Sequence, residues 1–365
     1  MDLFSWDYRM KNEHIIIVIP SYEPDTRLLE LLDSFCAASL KNVIVVNDGS
    51  SEAYDNIFAE AESKLHFLNG VLLRHDINRG KGAAIKTAIK YIIENETDVK
   101  GIITADSDGQ HDVDSIRAVM EALSESQDAL ILGVRDFNID GIPWKSYAGN
   151  TITLAVMKYL CGVKVSDTQT GLRGIPASFF SELLSIKSDR FEFETEMLLR
   201  TKDKVEIVEV PINTIYDSKE NHSTHFDPWK DSFRIYKILF ASFIKYTFSS
   251  LSSCVIDLVL FSVFCHFLKP AYPMSYAFAS TVIARVISAT YNFTLNYKLV
   301  FQSKQKVGSS AIRYIALAIC QMTLSAALVT FGIWIFKMLP EVVIKIVIDS
   351  LLFIASYYIQ RKFVF

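Results

Sequence analysis

"VKGIITADSDGQH", residues 99–111, decides how the first half of this chain is read. Its apolar part fits a buried strand, and the strand ends by placing Asp106, Asp108 and Gln110 on alternate positions. In an extended backbone, side chains two apart project from one face, so three oxygen donors converge. Two readings follow from these residues alone: a seat for a hard cation, or a polar turn of the kind that Asp and Gly form where strands end.

Working outward, the same grammar repeats. "HIIIVIP" (14–20) is a continuous apolar run stopped by proline, as a strand buried on both faces should be. Leucines at helical spacing follow in "SYEPDTRLLELLDSF", then come "NVIVVNDGSS", "AYDNIFAEAESKL", "GVLLRHD" and "RGKGAAIKTAIKYIIEN". Strands alternating with helices imply right-handed βαβ units, whose ligands bind at the carboxyl ends of the strands. Four successive runs end in polar or flexible residues there: "PSYEPD", "NDGSS", "DINRGKG" and "DSDGQH". In "NRGKGAA" a helix start and Lys81 suit an anionic group, although Lys81 also fits a solvated first turn.

Composition divides the chain of 365 residues in two. Hydrophobic residues make up 50% and mean hydropathy is +0.24, and this apolar excess is concentrated after about residue 240, in runs of about 20. A net charge of −4, with no basic run interleaved with aromatics, excludes nucleic acid as a partner. The five cysteines, Cys36, Cys161, Cys254, Cys265 and Cys320, show no CxxC and no zinc spacing, which fits reduced thiols in a cytosolic compartment. The polar first 14 residues do not read as a signal peptide.

"VIPSYEPD", "VVNDGSS", "NRGKGAA", "ADSDGQH", "GVRDF", "DTQTGLRG" and "FEFETEMLL", in this order, resemble glycosyltransferase family 2, specifically its polyprenyl-phosphate branch. The resemblance implies an α/β GT-A catalytic domain, Rossmann-like with a mostly parallel sheet. It implies that Pro20, Tyr22, Asp48 and either Glu23 or Asp25 hold the nucleotide of a nucleotide-sugar donor, with Lys81 beside it. Asp106, Asp108 and Gln110 would hold Mg²⁺ or Mn²⁺ on the diphosphate, which answers the opening choice in favour of the cation. His111 would neighbour that site without ligating.

On the acceptor side, Arg135, Lys145, Ser146, Asn150 and Arg173 are the residue types that grip phosphate oxygens. The resemblance assigns Arg135, Lys145 and Ser146 to the lipid phosphate, leaves Tyr147 open, and places Asp167 and Gln169 at the sugar pocket. With Asp108, residues Arg135, Lys145 and Arg173 form the expected catalytic set. A lipid monophosphate is already ionised at neutral pH, so the transfer needs no base, and Glu194 is expected to organise the site.

After a polar linker containing His222 and His225, "WKDSFRIYKILF" fits an interfacial helix over 230–245. Four apolar segments follow, near 246–268, 274–297, 312–337 and 342–360. Lys298, Lys304, Lys306, Arg313, Arg361 and Lys362 mark cytoplasmic ends, which puts both termini and the catalytic domain on that side of a plasma or inner membrane. "NYKLVF" and "QRKFVF" recur 64 residues apart, each closing a hairpin. Asp257, Arg285 and Asp349 are expected to face the bundle interior and pair with one another, with a path for a lipid phosphate as the other reading. "RVISATYNFTLNYKLVF" resembles the GtrA-like four-span family, so the domains are expected at 1–229, 230–245 and 246–365.

The expected activity is inverting transfer of a hexose from a nucleotide-sugar, UDP-glucose first, to undecaprenyl phosphate or another polyprenyl phosphate at the cytosolic face. GDP-mannose and UDP-N-acetylglucosamine are the next donors. A processive polysaccharide synthase lacks support, because no QxxRW-type motif follows "FETEM". A carrier of lipid-linked sugars with a sensor domain is the alternative from another class. Assembly as a homo-oligomer stays open.

Overall fold

The computed structural model describes residues 14–126, 128–135, 144–202, 204–213 and 230–365, with backbone alone for 144–148. The chain divides into two compact units, Met1–Ile238 and Leu239–Phe365.

The first unit is built on a seven-stranded sheet in the order β3-β2-β1-β4-β6-β5-β7. Its strands are β1 (Ile15–Ser21), β2 (Val43–Asn47), β3 (Val71–Arg74), β4 (Gly101–Thr104), β5 (Ala129–Arg135), β6 (Arg173–Pro176) and β7 (Glu206–Ile212). β1 runs parallel to β2 and to β4. Every residue of β1 is buried, as expected for a strand covered on both faces. Pro20 does not end the strand. Its register continues on the β2 side to Ser21, while pairing to β4 stops at Val18, so the missing proline N–H interrupts no ladder.

α1 (Arg27–Ala37) buries Leu28, Leu31, Leu32 and Phe35 at helical spacing. α2 (Asp55–Phe67), α3 (Lys81–Asn95) and α4 (Val113–Glu125) complete the alternation. β6 breaks the parallel pattern: it enters antiparallel between β4 and β5, pairing Thr104 with Arg173. The Thr104 hydroxyl donates to the Gly171 carbonyl at 2.9 Å, which brings "DTQTGLRG" against "ADSDGQH". α5 (Trp144–Val156), α6 (Phe180–Leu184) and α7 (Glu192–Arg200) close the unit.

Four helices follow: α8 (Lys230–Leu268), α9 (Tyr276–Leu295), α10 (Val307–Ile335) and α11 (Glu341–Ile359). Among the described residues, three helices, Lys230–Leu268, Val307–Ile335 and Glu341–Val364, are long and apolar enough to cross a membrane. α9, 20 residues long, carries Arg285, several hydroxyl residues and Asn292 within its apolar sequence. The expected separation of an interfacial helix at 230–245 from a span starting at 246 is replaced by one helix of 39 residues, consistent with the absence of Gly and Pro between 230 and 268. At 1.5 Å per residue this is about 58 Å, nearly twice a bilayer core of about 30 Å.

The 64-residue repeat is physical. Asn296–Val300 and Gln360–Val364 both form π-helical turns at equivalent positions. The Asn296 amide donates to Gln360 Oε1 at 3.2 Å, and the Phe301 and Phe365 rings stack at 5.2 Å with an interplanar angle of 16°. Each repeat end therefore meets its own counterpart.

Candidate active site

The carboxyl ends of β1, β2 and β4 bring the polar loops together. Asp48 is buried: its Oδ1 accepts from the Arg79 N–H at 2.9 Å and its Oδ2 from the Gly80 N–H at 2.7 Å. His75 Nδ1 lies 2.7 Å from Asp48 Oδ1, and its Nε2 lies 2.9 Å from the Thr87 hydroxyl. The anion held at the start of α3 is therefore the protein's own carboxylate. The Ala83 N–H is likewise spent, on the Asp189 carbonyl at 2.9 Å. Gly80 has φ +106°, and a Cβ there would lie 2.5 Å from the Asp189 oxygen, so the close approach requires glycine.

Lys81 is not a solvated first-turn residue. Its Nζ lies 2.6 Å from Asp106 Oδ1 and 3.0 Å from Glu194 Oε1, with the side chain 13% exposed. Burial works against its charge, but the two carboxylates outweigh that and raise its pKa. Asp106 is the mirror case: burial would raise its pKa, and Lys81 followed by His111 pull it well below the usual carboxylate range. Asp108 moves the other way, pushed up by burial and then by the charge of Asp106. The Gln110 N–H donates to Asp108 Oδ1 at 3.2 Å. Gly171 abuts this cluster so closely that a Cβ there would sit 2.0 Å from Asp106 Oδ2.

On the other side of the loop, Arg135 grips buried Asp167 through two bonds, Nε to Oδ2 at 2.6 Å and a terminal nitrogen to Oδ1 at 3.0 Å. Asp167 Oδ1 also accepts from the Gln169 N–H at 2.9 Å, and the Gln169 side chain is exposed. Asn150 Oδ1 accepts from the Thr168 N–H and hydroxyl at 3.2 and 3.0 Å, which ties α5 to the same loop.

Residues 16–184 match the family description "Glycosyl transferase family 2", and residues 245–365 match "GtrA/DPMS, transmembrane domain". Uncharacterized protein MJ1222 of Methanocaldococcus jannaschii is 31% identical over 213 residues, 57% of this chain and 84% of that protein. The chain belongs to glycosyl transferase family 2. Another relative, the UDP-N-acetylglucosamine--dolichyl-phosphate N-acetylglucosaminyltransferase of Methanococcus voltae, is 28% identical over 222 residues, 57% of this chain and 88% of that one. The dolichyl-phosphate beta-glucosyltransferase of Dictyostelium discoideum is 23% identical over 246 residues, 62% and 72% of the two chains. The first unit of this family 2 member has the GT-A fold, and the apolar helices of the chain make it a membrane protein.

Within the family frame, the residues expected from sequence fall into three groups. Asp106, Asp108, Gln110, Lys81 and Glu194 come together. Among the described residues no three His, Cys, Asp or Glu side chains form a closed metal cage. Two carboxylates with opposed pKa shifts, joined by an amide two residues on, fit instead the open site of a hard cation that takes one or two carboxylates and completes its shell with substrate phosphate. Tyr22 and Glu23 sit at the β1 end, where the Glu23 N–H donates to the Ser50 hydroxyl at 2.8 Å. Glu23 has φ +46° directly ahead of Pro24, a strained position for a non-glycine residue. Burial and then Glu23 raise the Tyr22 pKa. Asp25 is instead paired with Arg27 at 2.7 Å.

Arg173 departs from expectation as a phosphate ligand. It is 1% exposed, and its guanidinium donates to the carbonyls of Thr170 at 3.0 Å, Glu194 at 2.7 Å and Thr168 at 3.5 Å. Asp48 and the Arg79 and Gly80 amides are spent on each other, and Asp167 holds Arg135. The side chains of Lys145, Ser146 and Tyr147, and His222 and His225, lie outside the described residues. Sequence reasoning missed His75, whose "RHD" context carries no spacing signal, and the pairing role of Asn150.

Of the three membrane charges, Asp257 and Arg285 pair as expected, whereas Asp349 takes another partner. Arg285 pairs with Asp257 at 3.3 Å, but its side chain is 71% exposed. Asp349 pairs with Lys345 at 2.9 Å and accepts from the Ser325 hydroxyl at 2.5 Å. Lys345, one turn earlier on α11, is close enough to take the role expected of Arg285.

Proposed function

We propose that this protein transfers a hexose from a UDP-sugar to a polyprenyl phosphate at the cytosolic membrane face, releasing UDP. The observation that carries the reading is the Asp106–Asp108 pair, set against the "DTQTGLRG" loop at the carboxyl end of β4 and balanced by Lys81. Polyprenyl acceptors are supported by the dolichyl-phosphate relatives and by the GtrA/DPMS match. UDP-glucose is the first donor. UDP-N-acetylglucosamine is the second, favoured by the Methanococcus relative.

In this reading an oxygen of the lipid phosphate attacks the anomeric carbon, and the bond from that carbon to the diphosphate oxygen breaks with inversion. The lipid phosphate enters already ionised, so no side chain removes a proton. Asp106, Asp108 and Gln110 would hold Mg²⁺ or Mn²⁺, which supplies positive charge to the departing diphosphate. Pro20, Tyr22 and Glu23 border the nucleotide, with Asp48 shaping their neighbourhood through the 79–80 amides. Lys81 keeps Asp106 ionised and correctly placed. Arg135, oriented by Asp167, faces the acceptor phosphate with Lys145 and Ser146, and Gln169 borders the sugar. Arg173 is a positioning residue that fixes the loop from behind.

The test is a panel of radiolabelled UDP- and GDP-sugars with undecaprenyl phosphate, with and without Mg²⁺ or Mn²⁺, followed by extraction of the lipid phase. Lipid-linked label from one UDP-sugar, lost in Asp108→Ala, is the expected result. No lipid label from any donor would refute the proposal and favour a carrier with a sensor domain.

A further inference from the structure

In the membrane unit, the start of α10 and the turn after α11 border an open groove of about 440 Å³ lined by Arg313, Ala316, Leu317, Ile359, Lys362 and Phe363. Its walls are largely aliphatic and it carries two cations. One terminal nitrogen of Arg313 donates to Gln305 Oε1 and to the Phe363 carbonyl, both at 3.0 Å. The Lys362 ammonium lies 5.1 Å from the Phe363 ring centroid and 5.9 Å from that of Tyr358. Among the described residues no carboxylate pairs with either, and the sequence has no Asp or Glu at 286–340 or 350–365. Among the described residues the fold pairs neither charge with an acid, beside a slot suited to hydrocarbon.

The internal repeat acts as a control. Sixty-four residues before Arg313 stands Ser249, buried and accepting from the Asn292 amide at 3.2 Å, whereas Lys362 has Lys298 as its counterpart. The first hairpin forms with no cation at the Arg313 position, so the architecture does not require one there. Arg313 is the seventh residue of α10, about 9 Å along the helix. Arginine at that depth reaches the headgroup level along its aliphatic stem.

We propose that this groove docks the phosphate end of a polyprenyl phosphate, with the first part of its chain against Ala316, Leu317 and Ile359. The proposal rests on the acceptor class argued above. A phosphate monoester carries a charge of about −1.5 to −2 and matches two cations, whereas a phospholipid diester carries about half as much. The remaining guanidinium N–H groups of Arg313 and the Lys362 ammonium supply charge-assisted donors to its oxygens. The groove gives the membrane unit its own hold on the lipid substrate class.

The test uses the full chain in phosphatidylcholine nanodiscs, without donor, photolabelled with a diazirine-bearing polyprenyl monophosphate and mapped by peptide mass spectrometry. Label is expected in 307–317 and 359–365, displaced by unlabelled polyprenyl monophosphate but not by polyprenol or phosphatidylglycerol. R313Q/K362Q should reduce it about tenfold, and R313K/K362R should retain it. Lys362→Gln alone gives a partial loss while leaving the Arg313 bonds intact. Label unchanged in R313Q/K362Q, confined to residues 14–213, or displaced equally by phosphatidylglycerol would overturn the proposal, the last by showing a general anionic-lipid contact. Groove label without sugar transfer refutes the proposed function and keeps this site; transfer without groove label does the reverse.

Discussion

Replacing Gly171 by alanine should disable the active site without a change of charge or hydrogen-bonding groups. The added Cβ would lie 2.0 Å from Asp106 Oδ2, 2.6 Å from Cγ and 2.8 Å from Oδ1, whereas ordinary contact begins near 3.4 Å. Asp106 must retreat by about 1.4 Å, the difference between the last and first of these distances. If the retreat is away from Lys81, their 2.6 Å pair opens to about 4 Å. With an effective dielectric of about 20, the gross attraction falls from about 6 to about 4 kcal/mol. A carboxylate misplaced by about 1 Å costs on the order of 10²-fold in rate. Gly171 does not have a positive φ, so alanine adds the clash without backbone strain. The assay is initial rate of lipid-linked product across a metal titration, with a thermal melt to show that the fold survives. A folded Gly171→Ala protein working within about threefold of wild type would refute the assignment of Asp106 to the working centre.

Lys81→Met should destabilise the first unit by about 3 kcal/mol, because it removes the cation shared by two partly buried carboxylates and leaves Asp106 only His111 at 3.7 Å and Glu194 only Arg173 at 3.9 Å, and Glu194→Gln in the same chain should restore part of the loss; denaturant melts compare the three. Glu182 is held below its ordinary value of 4.5 by Lys204, then Arg200, against the opposing effect of burial. Its stabilising contribution is therefore full above 4.5 and disappears as pH falls through the lowered native value, so the melting difference between wild type and Glu182→Gln should shrink with acidification. A difference that grows at acid pH would contradict this sign. Gln360→Leu removes the amide that bridges Asn296 and Tyr246 and should cost about 1 kcal/mol in bundle stability, measured by unfolding in detergent.

By itself the sequence determined the class of this protein. A fully apolar strand period in 15–19, helical spacing in 28–35 and polar residues at each strand end are local patterns, and local patterns suffice for a βαβ sheet with a site at its carboxyl edge. Apolar length likewise marked the membrane half, and the repeat of "NYKLVF" as "QRKFVF" foretold paired turns. The chain order of motifs named the family.

Tertiary structure decided which groups are spent and which can act. Asp48 and the amides of Arg79 and Gly80 both resemble ligand-binding groups in isolation; the fold bonds them to each other. Arg173 has the chemistry of a phosphate ligand, yet antiparallel β6 turns it inward to three carbonyls. Lys81 and Asp106 stand 25 positions apart, and their pairing depends on how α3 and the β4 loop converge. Such contacts depend on side chains meeting across long loops, and neither period nor spacing encodes that distance. The cationic groove at Arg313 and Lys362 has the same origin: two residues 49 apart became neighbours because the second hairpin closes on itself.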